Sequence, residues 1–242
     1  MFATCSRDNT VKLWDVDASS GEPRCVHVLR GHTHPITSLS FIPDSNLLGS
    51  TGKDACRVWR STGESVAVLS SGHVHVSASI FASCPGEGSI LVTGDENGEL
   101  VTWDITTEAK LQTLDGHTAM IRWIVAPQQG YDDVLVSADI TGTIIAWTYV
   151  QGAWKLNWKL SEAHALPISA MRIKDKLLLT GGADGKIRIR QLDAGALLRE
   201  LEEIYDAVYD VEFQDFAEKE IVAVASRNGR TVADVSFCFV LD

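Results

Sequence analysis

The sequence has 242 residues, 45% of them hydrophobic, which is enough apolar material for one large all-β domain or two smaller units. Its formal net charge of -11 at pH 7 disfavours polyanions, so we expect no nucleic-acid or membrane binding. The sequence shows no apolar run of about 18 residues and no apolar stretch of a secretory signal near its start, which predicts a cytoplasmic or nuclear protein. Its five cysteines are scattered without a C-x-x-C pair, which predicts neither a disulfide framework nor a zinc knuckle.

Tryptophans recur along the chain at a nearly constant interval. Their spacings are 45, 44 and 44 residues, for Trp14, Trp59, Trp103 and Trp147. A second marker keeps the same period, at Gly31-His32, Gly72-His73, Gly116-His117 and Ala163-His164. Two independent markers with one period indicate a structural repeat of about 44 residues.

Each repeat unit contains four short segments of alternating apolar and polar residues, separated by turn residues such as Glu96-Asn97-Gly98. This pattern predicts antiparallel strands, and a four-stranded sheet must stack on its neighbours to cover both faces. We therefore predict an all-β fold, a β-propeller of four-stranded antiparallel blades with about six blades represented. The predicted units over 1–242 are 1–30 (partial), 31–71, 72–115, 116–162, 163–201 and 202–242 (partial). About 22 strands are expected where six complete blades need 24, so we expect part of a larger ring or an incomplete one.

The pairs Trp14-Asp15 and Trp103-Asp104, together with the Gly-His pairs, resemble the WD-repeat family over nearly the whole chain. That resemblance implies a hydrogen-bonded set of Asp, His, Ser or Thr, and Trp inside each blade. The implied structural residues are His32, Asp54, Trp59, His73, Trp103, His117, Trp147, His164 and Asp184. The pattern is incomplete, because Asn97 and Thr141 stand where Asp is expected and Arg190 replaces a Trp.

Histidines form two H-x-H pairs, one at His32 and His34 and one at His73 and His75. We interpret them as repeat residues rather than metal ligands, since no Cys or paired carboxylate stands beside them at ligand spacing. The common hydrolase, zinc-protease and nucleotide-binding motifs do not occur. We therefore predict a non-enzymatic protein without a metal or a cofactor.

Two positions in each unit are expected to face a partner. The first lies just after the apolar start of the unit's first strand, at Thr37, Ala78, Arg122, Ser169 and Tyr209. The second precedes the turn Asp or its substitute, at Arg7, Lys53, Glu96, Ile140, Ala183 and Arg227. The candidate partner-binding residues are Arg7, Lys53, Arg122, Ser169, Tyr209 and Arg227. A closed ring would bring Arg227, Arg7 and Lys53 together into a basic patch suited to an acidic or phosphorylated peptide. The simpler interpretation, which we favour, is that they are ordinary exposed turn residues.

The last quarter of the chain resembles the closing blades of F-box/WD-repeat proteins, the substrate receptors of cullin-RING (SCF-type) ubiquitin ligases. The resemblance is carried by Ser226-Arg227-Asn228-Gly229-Arg230-Thr231 and Asp206-Ala207-Val208-Tyr209. It implies a grip on a phosphorylated degron by Arg122, Arg7 and Lys53. The sequence contains no F-box, so SCF components would be recruited through a region outside this chain. We therefore predict a protein-protein interaction scaffold, either such a receptor or a generic WD-repeat scaffold of another complex with no ubiquitin role.

Overall fold

The computed structural model of the chain describes residues 1–17, 19–41, 45–69, 75–84, 88–127, 133–201, 207–216, 219–226 and 240–241. These residues form 22 β-strands and no helix. Accordingly, the described part holds no helix with the length and apolarity needed to cross a membrane. The chain divides into two compact units, Met1–Ile124 (unit 1) and Val125–Asp242 (unit 2).

Unit 1 begins with three antiparallel sheets. The first, in the order β1-β2-β3, contains β1 (Phe2–Cys5), β2 (Val11–Val16) and β3 (Pro23–Leu29). The second, in the order β4-β5-β6-β7, contains β4 (Ile36–Phe41), β5 (Leu47–Gly52), β6 (Cys56–Arg60) and β7 (Ser65–Leu69). The third, in the order β11-β10-β9-β8, contains β8 (Val76–Cys84), β9 (Gly88–Asp95), β10 (Leu100–Asp104) and β11 (Lys110–Leu114).

The remaining sheets follow the same up-and-down order. One runs β12-β13-β14-β15, with β12 (Ile121–Val125), β13 (Val134–Asp139), β14 (Ile144–Val150) and β15 (Ala153–Leu160). The next runs β16-β17-β18-β19, with β16 (Ile168–Lys174), β17 (Leu177–Gly182), β18 (Ile187–Gln191) and β19 (Leu197–Leu201). The last described sheet contains β20 (Val208–Phe216), β21 (Lys219–Ser226) and β22 (Val240–Leu241).

The apolar cores lie between neighbouring sheets. In unit 1, Val11 and Leu13 of the first sheet pack with Leu48 and Trp59 of the second. A further cluster joins the second sheet to the third, and it contains Cys56, Val58, Ala67, Leu69, Phe81, Leu91, Val101, Trp103 and Ile105. In unit 2, the corresponding cluster between the last two sheets contains Ala170, Leu179, Ile187, Ile189, Val208 and Val211. Each sheet therefore depends on its neighbours for burial, as the blades of a propeller do.

Glycines on the second strand of a sheet allow the next sheet to approach closely. A Cβ atom on Gly94 would lie 2.6 Å from Cβ of Ile121, within unit 1. A Cβ atom on Gly181 would lie 2.5 Å from Cγ1 of Val208, within unit 2. The same contact thus recurs in both units, because a β-branched residue at the start of one sheet fills the space above a glycine of the sheet before it.

The predicted all-β fold of four-stranded antiparallel blades is confirmed. Of the sheets formed by the described residues, four have four strands and two have three. The pairing within every sheet is antiparallel and sequential, as expected when short turns connect alternating segments.

Candidate interaction surface

A buried hydrogen-bonded set fixes the loop before β4 to the turn after β5. His32 Nδ1 lies 2.8 Å from Asp54 Oδ1, and His32 Nε2 lies 2.8 Å from Ser50 Oγ. Ser50 Oγ also accepts a hydrogen bond from Trp59 Nε1 at 2.8 Å. Burial opposes ionisation of Asp54, but its hydrogen bonds with His32 and the backbone N–H of Thr33 outweigh burial and lower its pKa. The carboxylate therefore stays charged and holds both segments in place.

The β16–β19 sheet holds its loop in a related way. His164 Nδ1 lies 2.9 Å from Asp184 Oδ1, and His164 Nε2 lies 2.8 Å from Thr180 Oγ1. Arg188 Nη1 lies 3.2 Å from Asp184 Oδ2 and 2.8 Å from His164 Nδ1, a contact that the β4–β7 set lacks among its described residues. Burial lowers the pKa of His164. The positive charges of Arg188 and Arg190 lower it further, whereas the hydrogen bond and the negative charge of Asp184 raise it.

Arg190 takes the place of the expected Trp of this sheet. It is only 9% exposed, and its Nη1 donates a hydrogen bond to the carbonyl oxygen of Gly195 at 3.2 Å. Burial lowers the pKa of its guanidinium. In the β4–β7 sheet, Trp59 donates a hydrogen bond to Ser50. At the equivalent position of the β16–β19 sheet, Arg190 instead donates to the turn between β18 and β19.

Aspartates that were not predicted from the sequence hold the turns of the β8–β11 and β12–β15 sheets. Asp95 Oδ1 accepts hydrogen bonds from the backbone N–H groups of Asn97 and Glu99, both at 2.8 Å. Asp139 Oδ1 accepts from the backbone N–H of Thr141 at 2.9 Å and from its hydroxyl at 2.6 Å. Asn97 and Thr141, the substitutes for the expected Asp, thus follow an Asp placed two residues earlier.

In the β4–β7 and β16–β19 sheets, glycine stands where the turns of the β8–β11 and β12–β15 sheets have their Asp. The position of Asp95 is taken by Gly52 in the β4–β7 sheet, where an added Cβ would lie 2.7 Å from Asp54 Oδ1. A Cβ on Gly182, at the same position in the β16–β19 sheet, would collide with Asp184. In these two sheets, glycine therefore leaves room for the Asp that stands two residues later.

The remaining predicted structural residues are placed as follows. Trp103 Nε1 donates to Thr93 Oγ1 at 2.8 Å, and Trp147 Nε1 donates to Ser137 Oγ at 2.9 Å. His117 is buried. His73 lies outside the described residues.

Charged and polar side chains project from the same loop ends of the sheets in unit 1. We call Arg7, His34, Lys53, His75, Glu96 and Arg122 the loop-end surface. Arg7 lies in the turn after β1, Lys53 in the turn after β5 and Glu96 in the turn after β9, while Arg122 is the second residue of β12. Arg7, Lys53 and Arg122 are exposed.

Short contacts join these loop ends from sheet to sheet. The backbone N–H of Ile36 donates to the carbonyl oxygen of Ser6 at 3.4 Å, beside Arg7. Ser77 Oγ donates to the carbonyl oxygen of Ile121 at 2.6 Å, beside Arg122. The surface therefore rests on adjoining strand ends and tight turns, which hold its side chains more firmly than long loops would.

Lys53, which was predicted to belong to a basic patch, forms an ion pair. Its Nζ lies 2.9 Å from Glu96 Oε1, and His75 Nδ1 lies 3.2 Å from Glu96 Oε2. The hydrogen bond from Lys53 is the main cause of the lowered pKa of Glu96, and the bond from His75 adds to it. Because the pair is about half exposed, its net energy is small, but Glu96 offsets the local positive charge.

A β-bulge lies at or next to the first predicted partner position in the sheets that begin with β4, β8, β16 and β20. The strand register shifts between Ile36 and Ser38, between Val76 and Ala78 and between Ile168 and Ala170. The bulged residue of β8 is therefore Ser77, and the prediction of Ala78 is off by one residue, since Ala78 is buried.

Ser169 also differs from its predicted role. Its hydroxyl donates to the carbonyl oxygen of Gly181 at 3.0 Å and also contacts the carbonyl oxygen of Val208. Half-buried and hydrogen-bonded to two strands, it fastens neighbouring sheets of unit 2. Tyr209, at the bulge of β20, is 53% exposed as a partner-binding residue would be. Arg227 lies outside the described residues, so the basic patch that would join it to Arg7 and Lys53 stays a prediction.

The repeat histidine His32 serves structure rather than metal binding. Both ring nitrogens of His32 are engaged by Asp54 and Ser50, so this histidine is a structural residue. The described residues contain no group of three or more His, Cys, Asp or Glu side chains arranged to hold a metal ion.

Comparison with known proteins agrees with this architecture. Residues 1–15 and 23–60 match the family model described as WD domain, G-beta repeat. The chain is 31% identical over 111 residues to a guanine nucleotide-binding protein subunit beta of Solanum tuberosum, covering 43% of this chain and 28% of that protein. It is 33% identical over 116 residues to the nuclear distribution protein PAC1 of Arthroderma benhamiae, covering 44% of this chain and 24% of that protein. The matched region is thus about a quarter of each relative's length.

Among solved structures, the chain is similar to the crystal structure of the computationally designed Ika8 protein. The TM-score is 0.73 with 26% sequence identity, over 92% of this chain and 64% of that one. The four-stranded sheets, the Trp and His hydrogen-bonded sets and the matched family model all point the same way. The chain is therefore similar to WD40 repeat proteins over residues 1–15 and 23–60, and its sheets have the architecture of β-propeller blades.

Proposed function

We propose that this chain is a protein-interaction scaffold that binds peptide segments of partner proteins on the loop-end surface of unit 1. The observation that carries the proposal is the exposure of Arg7 and Arg122, each beside a hydrogen bond that joins its strand end or turn to the neighbouring sheet. A relative named as a subunit, the guanine nucleotide-binding protein subunit beta, supports a role within an assembly. Fold alone would not suffice for this proposal, since function depends on the side chains presented.

The chemistry of the surface favours an acidic or phosphorylated peptide. A guanidinium group presents parallel N–H donors that match the oxygens of carboxylate or phosphate. Arg7 and Arg122 would make these contacts, whereas Lys53 contributes less because Glu96 already pairs with it. The rest of the chain is strongly acidic, so a local basic site would also orient an acidic partner during encounter.

A pull-down from cell lysate tests this function. The chain is used as bait with untreated lysate and with phosphatase-treated lysate, and bound proteins are identified by mass spectrometry. We expect a set of acidic or phosphorylated proteins that is lost from Arg7→Ala and Arg122→Ala and retained by Arg24→Ala, an exposed arginine of β3 outside the surface. Equal capture by all variants would contradict binding at this surface. If capture is lost only from the arginine variants but persists after phosphatase treatment, the surface binds an acidic, unphosphorylated peptide.

A role as the substrate receptor of a cullin-RING ubiquitin ligase is a narrower form of the same function. Support comes from the exposed Arg7 and Arg122, at positions that the F-box/WD resemblance assigns to degron binding. This role predicts that SCF components co-purify with the protein from cells along with its phosphoprotein partners. Partners without SCF components would favour the generic scaffold.

A further inference from the structure

Two histidines from neighbouring sheets of unit 1 face each other on the loop-end surface. His34 lies in the loop before β4, and His75 directly precedes β8. Their ring centroids are 6.2 Å apart, and the ring planes are tilted by 43°. Both side chains are exposed, His75 by 51%. In the sequence they belong to different H-x-H pairs, so the tertiary structure creates a histidine pair that neither motif contains.

Each ring is oriented through its Nδ1 atom. His75 Nδ1 lies 3.2 Å from Glu96 Oε2, and His34 Nδ1 lies 3.1 Å from Thr33 Oγ1. A carboxylate that accepts from Nδ1–H leaves the Nε2 lone pair available, which is the usual arrangement around metal-bound histidines. Within the described part of the chain, neither Nε2 atom has a hydrogen-bond partner.

We propose that His34 and His75 bind one divalent transition-metal ion, such as Zn²⁺, through their Nε2 atoms. A Zn–N distance of about 2.0–2.1 Å places the ion about 3.2 Å from the centre of each ligating ring. The two ring centres then lie about 5.2 Å apart when the N–Zn–N angle is tetrahedral, and about 6.4 Å apart when the two nitrogens are on opposite sides of the ion. The observed separation falls inside this range, towards the opposed arrangement. Rotation of two exposed side chains closes the remaining gap without moving the sheets.

The groups around the histidine pair favour a transition-metal ion of borderline softness over a hard cation such as Mg²⁺. Glu96 is the carboxylate that faces the pair, and Lys53 neutralises it from the other side at 2.9 Å. Imidazole ligands suit Zn²⁺, Cu²⁺ and Ni²⁺, whereas Mg²⁺ and Ca²⁺ require several oxygen ligands that the pair does not offer. Two protein ligands leave at least two coordination positions for water or for a side chain of a bound protein. The site would link the second and third sheets of unit 1, and it does not depend on the peptide-binding proposal.

Isothermal titration of the metal-free, tag-free chain with ZnCl₂ tests the proposal. We expect one ion per chain, and a loss of affinity of about tenfold or more in His34→Ala, in His75→Ala and in Glu96→Gln, which removes the carboxylate that orients His75. His27→Ala, a histidine of β3 elsewhere in unit 1, is the matched control and should bind as the unmodified chain does. Circular dichroism checks that every variant keeps its fold.

A second measurement on the unmodified chain does not rely on substitutions. Electron paramagnetic resonance of the chain with one equivalent of CuCl₂ should show hyperfine coupling to two imidazole nitrogens. Absence of saturable ZnCl₂ binding would overturn the proposal. Binding that survives both histidine substitutions, or that falls equally in His27→Ala, would overturn it as well.

Discussion

Ser50 connects two members of the buried hydrogen-bonded set of the β4–β7 sheet. It is fully buried, and its hydroxyl accepts from Trp59 Nε1 while donating to His32 Nε2, each at 2.8 Å. Ser50→Ala removes one oxygen atom and leaves two buried polar groups without a partner. Each such group costs about 1–3 kcal/mol, so we expect the free energy of unfolding to fall by about 2–6 kcal/mol.

Urea denaturation followed by tryptophan fluorescence measures this loss. A decrease of about 3 kcal/mol lowers the midpoint by about 1 M if the slope is about 3 kcal/mol per molar urea. Ser65→Ala is the matched control, because Ser65 lies opposite Trp59 on the exposed edge strand β7 and makes no described contact of this kind. A midpoint for Ser50→Ala equal to that of Ser65→Ala would refute the hydrogen-bonded set as a source of stability.

Two further predictions concern unit 2. Gly181→Ala places a Cβ 2.5 Å from Cγ1 of the fully buried Val208. We therefore expect the free energy of unfolding, measured by urea denaturation, to fall by about 1–3 kcal/mol. An unchanged midpoint would show that the sheets separate easily. The lowered pKa of His164 means that the unfolded chain binds more protons than the folded chain just below the ordinary value of 6.5, so stability should decrease as the pH falls through that region. In His164→Gln this part of the pH dependence should disappear, and an identical pH profile would contradict burial of a neutral ring.

The sheets and their turns illustrate which features of this fold a single sequence can predict. The Trp and Gly-His period, the strand alternation and the turn residues are local signals, and they predicted the sheets and their antiparallel order. The partners of Trp59 and His164 follow from the same repeat, because equivalent residues occupy equivalent places in each sheet. Asp95 and Asp139 were missed, although each stands two residues before the position at which Asp was expected.

The tertiary structure decided the contacts that join different sheets. Lys53 and Glu96 are 43 residues apart, and nothing in either turn indicates that they form an ion pair. The pairing of His34 with His75 likewise depends on how the second and third sheets stack. The bulge that selects Ser77 rather than Ala78 depends on strand register. Local sequence encodes the backbone preference and the side of a sheet that is buried. Strand register and the stacking of sheets depend instead on packing summed over many residues. Only the folded chain therefore brings these side chains together.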